Sequence, residues 1–269
     1  MRLHVKHVTH YEYDTPVDYA VQRLLLTPRP YAAQRIVSWK VDAPGIETAM
    51  HYDDAFSNPV QLITSQKAAG PYSIVAEGVV DVDDVAGMVQ GLSMRVPDHV
   101  FLRQTPATQP SEAMLEALAK VTLKPGGTLA FLHELMGAIH ERVTYETGTT
   151  HAHTTAAEAF DQGRGVCQDH THVLIGLARA SRIPSRYVTG YLMSGEDVSS
   201  PAAHAWAEAL VPDLGWVGFD AANAKCPTDQ YVRVATGLDA LGTTPVRGCR
   251  RGGATETMTV EVRVGMAQQ

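Results

Sequence analysis

The chain has 269 residues, 45% of them hydrophobic and 19% charged, which is enough apolar material to bury a core in one large domain or two ordinary ones. Its 22 basic and 29 acidic residues leave a formal charge of −7, which argues against nucleic acid as a partner, since binding there is driven by clustered Lys and Arg on phosphates. No apolar run approaches the ~18 residues of a membrane span and the opening MRLHVKH does not resemble a signal peptide, so a cytoplasmic protein without membrane association is expected.

Residues 3–9 alternate polar and apolar, 21–27 and 36–41 are short apolar runs, and 72–82 is rich in β-branched residues. Turn signals separate them at Thr15-Pro16, Pro28-Arg29-Pro30, Pro44-Gly45, Asn58-Pro59 and Gly70-Pro71. This predicts an N-terminal antiparallel β-sandwich over 1–85, a structural or substrate-framing module without a catalytic cluster of its own. From 86 to 110 the periodicity fades among Pro97, Pro106 and Pro110, which reads as a surface connector. Residues 111–269 form the expected second domain. Ser111 offers an N-cap for a helix over 112–121, and after the Pro125-Gly126-Gly127 break Thr128 offers one for a longer helix with Leu129, Leu132, Met136, Ile139 and Val143 on one face. Thr155 and Glu158 have capping-box spacing ahead of a short helix that stops near Gly163. Strands follow at 186–192, 203–211, 216–219 and 257–264, giving an α+β domain.

The informative stretch is Gly163-Arg164-Gly165-Val166-Cys167-Gln168-Asp169-His170-Thr171-His172. Val173, Leu174, Leu177 and Ala178 then recur at helical spacing, and Arg179, Arg182 and Pro184 mark the helix stop. Cys167 therefore sits at a helix start, where free N–H groups and the helix dipole stabilise a thiolate. Three cysteines at wide spacing (Cys167, Cys226, Cys249) suggest neither a disulfide framework nor a four-cysteine zinc site, but one working thiol. Downstream, His204-Ala205-Trp206 and Trp216-Val217-Gly218-Phe219-Asp220 read as a β-hairpin. His204 and Asp220 share a face of it only if the loop between paired residues holds an odd number of residues, a register the sequence leaves open. With that register, His204 can take the thiol proton and Asp220 can orient the imidazole.

Gly165-Val166-Cys167-Gln168-Asp169 with Thr171-His172, then His204-Ala205-Trp206, then Gly215-Trp216-Val217-Gly218-Phe219-Asp220 with Asn223, resembles the bacterial transglutaminase-like proteins, often described as cysteine proteases. The N-terminal region resembles the β-rich domain that precedes the catalytic domain in that family. The resemblance implies a papain-like transglutaminase core, helices packed on an antiparallel sheet, with Cys167 as nucleophile, His204 as general base and acid, and Asp220 as orienter. Two departures stand out: Ala221-Ala222 where the family commonly has Pro-Thr, and His170 where an aromatic residue is usual. The implied chemistry is acyl transfer on a peptide or carboxamide through a thioester, with the Cys167 N–H as an oxyanion donor and no cofactor. The triad serves hydrolysis and amine transfer alike. No calcium-binding loop pattern is present, and hydrolysis by a cysteine peptidase or amidase is preferred over a protein transglutaminase.

Around the triad, Gln168, Asp169, His172, Trp206 and Tyr145 are candidate supporting residues. For Asp169 an acid favouring the helix dipole is an equally good reading, Trp206 and Trp216 read first as packing, and Tyr145 reads as a wall or oxyanion donor. His140, His151, His153, His170 and His172 raise a metal site as an alternative, against which no His-Glu-x-x-His pattern occurs. A non-catalytic scaffold is a further alternative. Arg247, Arg250 and Arg251 read as a solvated turn, with a substrate carboxylate as the sharper option.

Overall fold

The computed structural model describes residues 1–68, 71–121, 127–193, 195, 199–200, 202–253 and 255–267. The chain begins with β1 (Arg2–Tyr13), β2 (Val17–Leu24), β3 (Gln34–Asp42), β4 (Met50–Asp53), β5 (Pro59–Ala68), β6 (Tyr72–Val82) and the short β7 (Met88–Val89). Helices α1 (Glu112–Leu118) and α2 (Thr128–Arg142) lead through β8 (Thr144–Tyr145), α3 (Ala156–Gln162) and β9 (Arg164–Gly165) to α4 (Cys167–Ala180). The remainder comprises β10 (Ser185–Leu192), β11 (Ser199–Ser200), β12 (His204–Val211), β13 (Gly215–Phe219), β14 (Tyr231–Gly237), α5 (Ala240–Thr243), β15 (Val246–Gly252) and β16 (Glu256–Met266).

Three sheets carry the architecture, in the orders β11-β16-β1-β6-β3, β15-β2-β5-β4 and β14-β10-β12-β13-β7, and their pairings are antiparallel. The first two form the β-rich lobe; the third, with α1–α4 against it, forms the α+β lobe. On β1 the alternating residues Leu3, Val5, His7, Thr9 and Tyr11 are buried, so one face of the first sheet points inward throughout. Near one end that face packs Leu3, Val5, Val262 and Val264 against Tyr191, Val232 and Val234 of the third sheet. Near the other, Tyr11, Ile74 and Ala76 pack against Leu24 and Ile63 of the second. A third core lies between α2, α4 and the third sheet, around Leu132, Ile139, Leu174, Leu177, Ala207 and Phe219.

The sheets do not follow the boundaries expected from the sequence. β16, read as the last strand of a 111–269 domain, pairs with β1 from Leu3↔Met266 to Tyr13↔Glu256, and β15 pairs with β2. Alternation fixes which face of a strand is buried, but any antiparallel partner with a matching inner face satisfies it. The 86–110 segment is mostly exposed or half-buried, and it is pinned into the core at a few points. β7 joins the third sheet, Phe101 and Thr108 are fully buried, and the buried Arg179 guanidinium donates to Phe101 O at 3.0 Å, Thr108 Oγ1 at 3.1 Å, Ser185 O and Leu238 O. These bonds stitch the segment to the C-terminal end of α4 and the start of β10.

Among smaller differences, α1 ends at Leu118 and Gly127, not Thr128, is the N-cap of α2. Gly70 and the 125–126 part of the expected turns lie outside the described residues. The capping box of Thr155 and Glu158 is present, and Gly163 ends α3 at φ 68°. No described helix is long and apolar enough to cross a membrane.

Candidate active site

Cys167 is the first residue of α4 and is 9% exposed. As N1 it has no intrahelical acceptor for its N–H. The helix start is fixed by Asp169, whose fully buried Oδ2 accepts from Val166 N–H at 2.8 Å and from Thr150 Oγ1 at 2.6 Å. Burial pushes the Asp169 carboxyl above its usual range against these bonds, and among the described residues its buried Oδ1 has no partner. Gly165 is required by the same contact, because a Cβ there would come within 2.7 Å of the Asp169 Cβ and Oδ2. The Gly165-Val166-Cys167-Gln168-Asp169 pattern is thus one cap: a carboxylate folded back over a glycine to hold the peptide before the cysteine. Asp169→Ala is expected to cost roughly 0.5–2 kcal/mol, the range for loss of an N-terminal cap. Thermal melts read that cost directly, and iodoacetamide labelling of Cys167 should slow in parallel.

His170 adds a second brace. Its Nδ1 lies 2.9 Å from Val166 O and its Nε2 2.7 Å from Val143 O, tying the start of α4 to the residue that ends α2. Both partners are acceptors, so the ring bonds both only when each nitrogen carries a hydrogen. An aromatic hydrocarbon at this position would fill the space without bonding either carbonyl.

His204 opens β12, and Asp220 directly follows β13. The strands pair from Ala207↔Phe219 to Val211↔Gly215, leaving the three-residue loop 212–214, so the odd count required for a shared face is met. His204 Nε2 lies 2.7 Å from Asp220 Oδ2, and Cys167 lines the same two cavities as the ring, close enough to act on it electrostatically. Burial opposes charge on the imidazole, but the bond to Asp220 and the nearness of Cys167 and the Asp220 carboxylate outweigh it and raise the ring to about 10. Burial likewise works against the Asp220 carboxylate, and His204, Asn223 and Tyr231 together hold it below its usual range.

Asp220 is saturated with donors. Oδ2 also accepts from Asn223 Nδ2 at 2.7 Å and Tyr231 Oη at 2.8 Å, while Oδ1 accepts from Ala222 N–H at 3.1 Å and Asn223 N–H at 3.2 Å. The turn closes with Asp220 N–H on Lys225 O, so Ala221-Ala222 form it without Pro-Thr. Asn223 stood in the motif without an assigned role. Tyr231 carries no signal in the sequence because β14 is buried on both faces and shows no periodicity.

The other candidate residues divide in two. Trp206 is buried with its ring stacked beside His204 at 6.2 Å and edge-on to Tyr231 at 5.4 Å, so it walls the imidazole. Tyr145, half exposed, is placed beside Gly165 by the β8–β9 pair and faces the same cavity as Cys167, and burial followed by the nearby Cys167 and Asp220 charges raises its phenol. Gln168 lines the cleft and donates to Ala152 O at 3.3 Å. His172 lies behind the helix, accepting from Ala240 N–H at 3.1 Å and held neutral by burial, which lowers it to about 4. Of the other histidines weighed above, His140 lies against Ala221 O at 3.1 Å and His151 against Thr154 Oγ1 at 3.2 Å. Among the described residues no three His, Cys, Asp or Glu converge on one point.

Cys167 and His204 line two cavities at once, one of about 580 Å³ on the Tyr145 and Asn223 side and one of about 320 Å³ on the Gln168 side. A thiol beside an imidazole that is itself bonded to a buried carboxylate, in an open cleft at a helix start, is an arrangement suited to nucleophilic acyl transfer.

Comparison with known proteins agrees with this layout. Residues 116–221 match the model of the transglutaminase-like superfamily, and residues 3–81 match that of the bacterial transglutaminase-like N-terminal region. An uncharacterized protein of Mycobacterium leprae is 27% identical over 282 residues, covering 98% of each chain. One of Mycobacterium tuberculosis is 26% identical over 275 residues, covering 92% of this chain and 87% of its own. A solved structure described as a "putative cysteine protease" from Cytophaga hutchinsonii has the same fold, with a TM-score of 0.78 at 22% identity, covering 100% of this chain and 91% of that one.

Proposed function

The chain belongs to the transglutaminase-like superfamily, with a bacterial transglutaminase-like N-terminal region ahead of the core, and from that premise we propose that it is a thiol-dependent amide hydrolase acting on peptide or carboxamide bonds. The observation that supports the reading is that Cys167, at the start of α4, shares the cleft with His204, whose ring is bonded to the buried Asp220 at 2.7 Å.

In this reading the Cys167 thiolate attacks the carbonyl carbon, forming a C–S bond and a tetrahedral oxyanion that the Cys167 N–H stabilises. Collapse breaks the C–N bond, and His204 gives its proton to the leaving amine. Water, losing a proton to His204, then attacks the thioester and releases the acid and the thiolate. Asp220 keeps Nε2 engaged, so the other ring nitrogen serves the reaction. Tyr145 is a second candidate oxyanion donor. The exposure of Tyr145 and Asn223 beside the thiol favours water as the acceptor, and a primary amine in its place makes the same thioester a cross-linking intermediate.

Iodoacetamide labelling followed by peptide mass mapping tests the reading. Cys167 should be modified faster at neutral pH than Cys226 or the exposed Cys249, and peptide pools should leave an acyl adduct on Cys167. Three thiols of equal, slow reactivity would sink the proposal. Adding a primary amine separates the acceptors: hydrolysis predicts free acid as the main product, transfer predicts the amide.

A further inference from the structure

The inner face of the β1–β16 pair runs as a floor beneath the cleft. Its paired residues are Val5↔Val264, His7↔Val262, Thr9↔Val260, Tyr11↔Met258 and Tyr13↔Glu256. Three cavities stand on it in that order. The one on the Tyr145 side includes Val264 and Val262, the one on the Gln168 side includes Val260, His7 and Met258, and a third of about 310 Å³ includes Met258, Tyr11 and Glu256. The first two share Cys167 and His204, and the second and third share Val246 and Met258. At ~3.3 Å per strand residue, the floor from Val262 to Glu256 is roughly 20 Å long, the span of about six residues of extended peptide.

The stations differ in chemistry. Among the described residues no Asp, Glu, Lys or Arg lines the middle cavity, and its buried His7 is kept neutral by desolvation, which lowers it to about 4. The third cavity combines the stacked rings of Tyr11 and Tyr13 with Arg250 and Arg247 from β15, a strand where the sequence suggested a turn. Arg250 is committed, lying over the Tyr13 ring and bonded to Glu256 at 3.1 Å. Arg247 is exposed and, among the described residues, has no ion pair.

Resting on the acyl-transfer reading, we propose that the cleft binds an extended polypeptide whose residues next to the reacting carbonyl are uncharged, and that Arg247 holds an acidic side chain about four residues away, the ~13 Å from Val260 to Glu256. The β-rich lobe is then a specificity element for substrate.

The test uses fluorescein-labelled decapeptides of Ala, Ser and Val with a single Glu at each position in turn. Affinity is measured on the full chain carrying Cys167→Ala, with and without Arg247→Ala, and turnover is measured on the wild type. One Glu position should bind roughly threefold to fivefold more tightly than the all-neutral peptide, the scale of an exposed ion pair. That preference should vanish with Arg247→Ala and with 0.5 M salt, and Arg247→Glu should transfer it to Lys-bearing peptides. No positional preference, or one that survives Arg247→Ala, overturns the subsite. Because the Cys167→Ala chain reads binding alone, absence of any adduct on wild-type Cys167 counts against the acyl-transfer reading, while the Glu scan still decides the subsite.

Discussion

His204→Ala is expected to lower kcat/KM on any peptide that acylates Cys167 by roughly 10²–10⁴-fold, the usual contribution of a positioned general acid and base. The reason lies in the balance of forces on the ring. Burial alone would lower it, yet the bond to Asp220 and the nearness of Asp220 and Cys167 raise it from 6.5 to about 10. At neutral pH the ring therefore keeps its proton and has it available for the leaving amine. Alanine removes both the counter-ion and the acid. The sign of the pH dependence follows: stability gained from a raised histidine is fully present below 6.5 and lost as pH rises through about 10. The melting difference between wild type and His204→Ala should thus shrink on the alkaline side, and alkylation of Cys167 at neutral pH should slow in the variant. Unchanged alkylation and unchanged turnover together would remove His204 from the chemistry.

Much of the candidate site was legible because its parts are local in sequence. A glycine, a cysteine and an aspartate within five residues describe one helix cap, and the structure shows why each type is needed: the Asp169 carboxylate lies on Gly165 and holds the peptide before Cys167. The hairpin was legible as a hairpin but not in register. That depends on whether the chain turns in two, three or four residues, which is settled by Asp213 at φ 67° and Gly215 at φ 83° around Leu214.

What stayed hidden is what comes from far along the chain. Tyr231 reaches Asp220 from a strand whose seven residues are all buried, so it has no alternation to betray a face. β16 advertised a face and not a partner, and its partner follows from the core that Val262 and Val264 share with Leu3 and Val5 of β1. The anchoring of the 86–110 segment was hidden for a different reason. Its prolines and polar residues suggest solvent, where most of it lies, but the Phe101 carbonyl and the Thr108 hydroxyl are acceptors for the buried Arg179, a role that composition does not reveal.

Glu208→Ala should be among the most destabilising single substitutions in the protein, at roughly 3–5 kcal/mol, the cost of leaving buried charge without its partner. Glu208 is fully buried and accepts from Arg186 Nε at 2.6 Å, Arg233 Nε at 2.8 Å and Arg233 Nη2 at 3.2 Å. Burial would push its carboxyl up, and the two guanidiniums override that and hold it far below the carboxylate range. Among the described residues Arg186 has no polar partner for Nη1 or Nη2, and its guanidinium rests on the Trp216 ring at 3.9 Å, so loss of Glu208 strands it. At ~2–4 °C per kcal/mol for a chain of this size, the melting temperature should fall by roughly 6–20 °C.

Glu208→Gln separates the causes, keeping volume and two polar atoms while removing the charge. If charge pairing dominates, Gln should lose most of what Ala loses; if the cavity dominates, Gln should be nearly silent. A depressed carboxylate contributes stability that is present above 4.5 and lost only as pH falls through its lowered folded value, so the difference between wild type and variant should stay flat from pH 5 to 8 and narrow in strong acid. The three residues sit on β10, β12 and β14, adjacent strands of one sheet, and His204 opens β12 as Tyr231 opens β14. The buried cluster therefore also sets the strand positions that bring imidazole and phenol to Asp220. In a Glu208→Gln protein that remains folded, turnover should fall while alkylation of Cys249, remote from those strands, is unaffected.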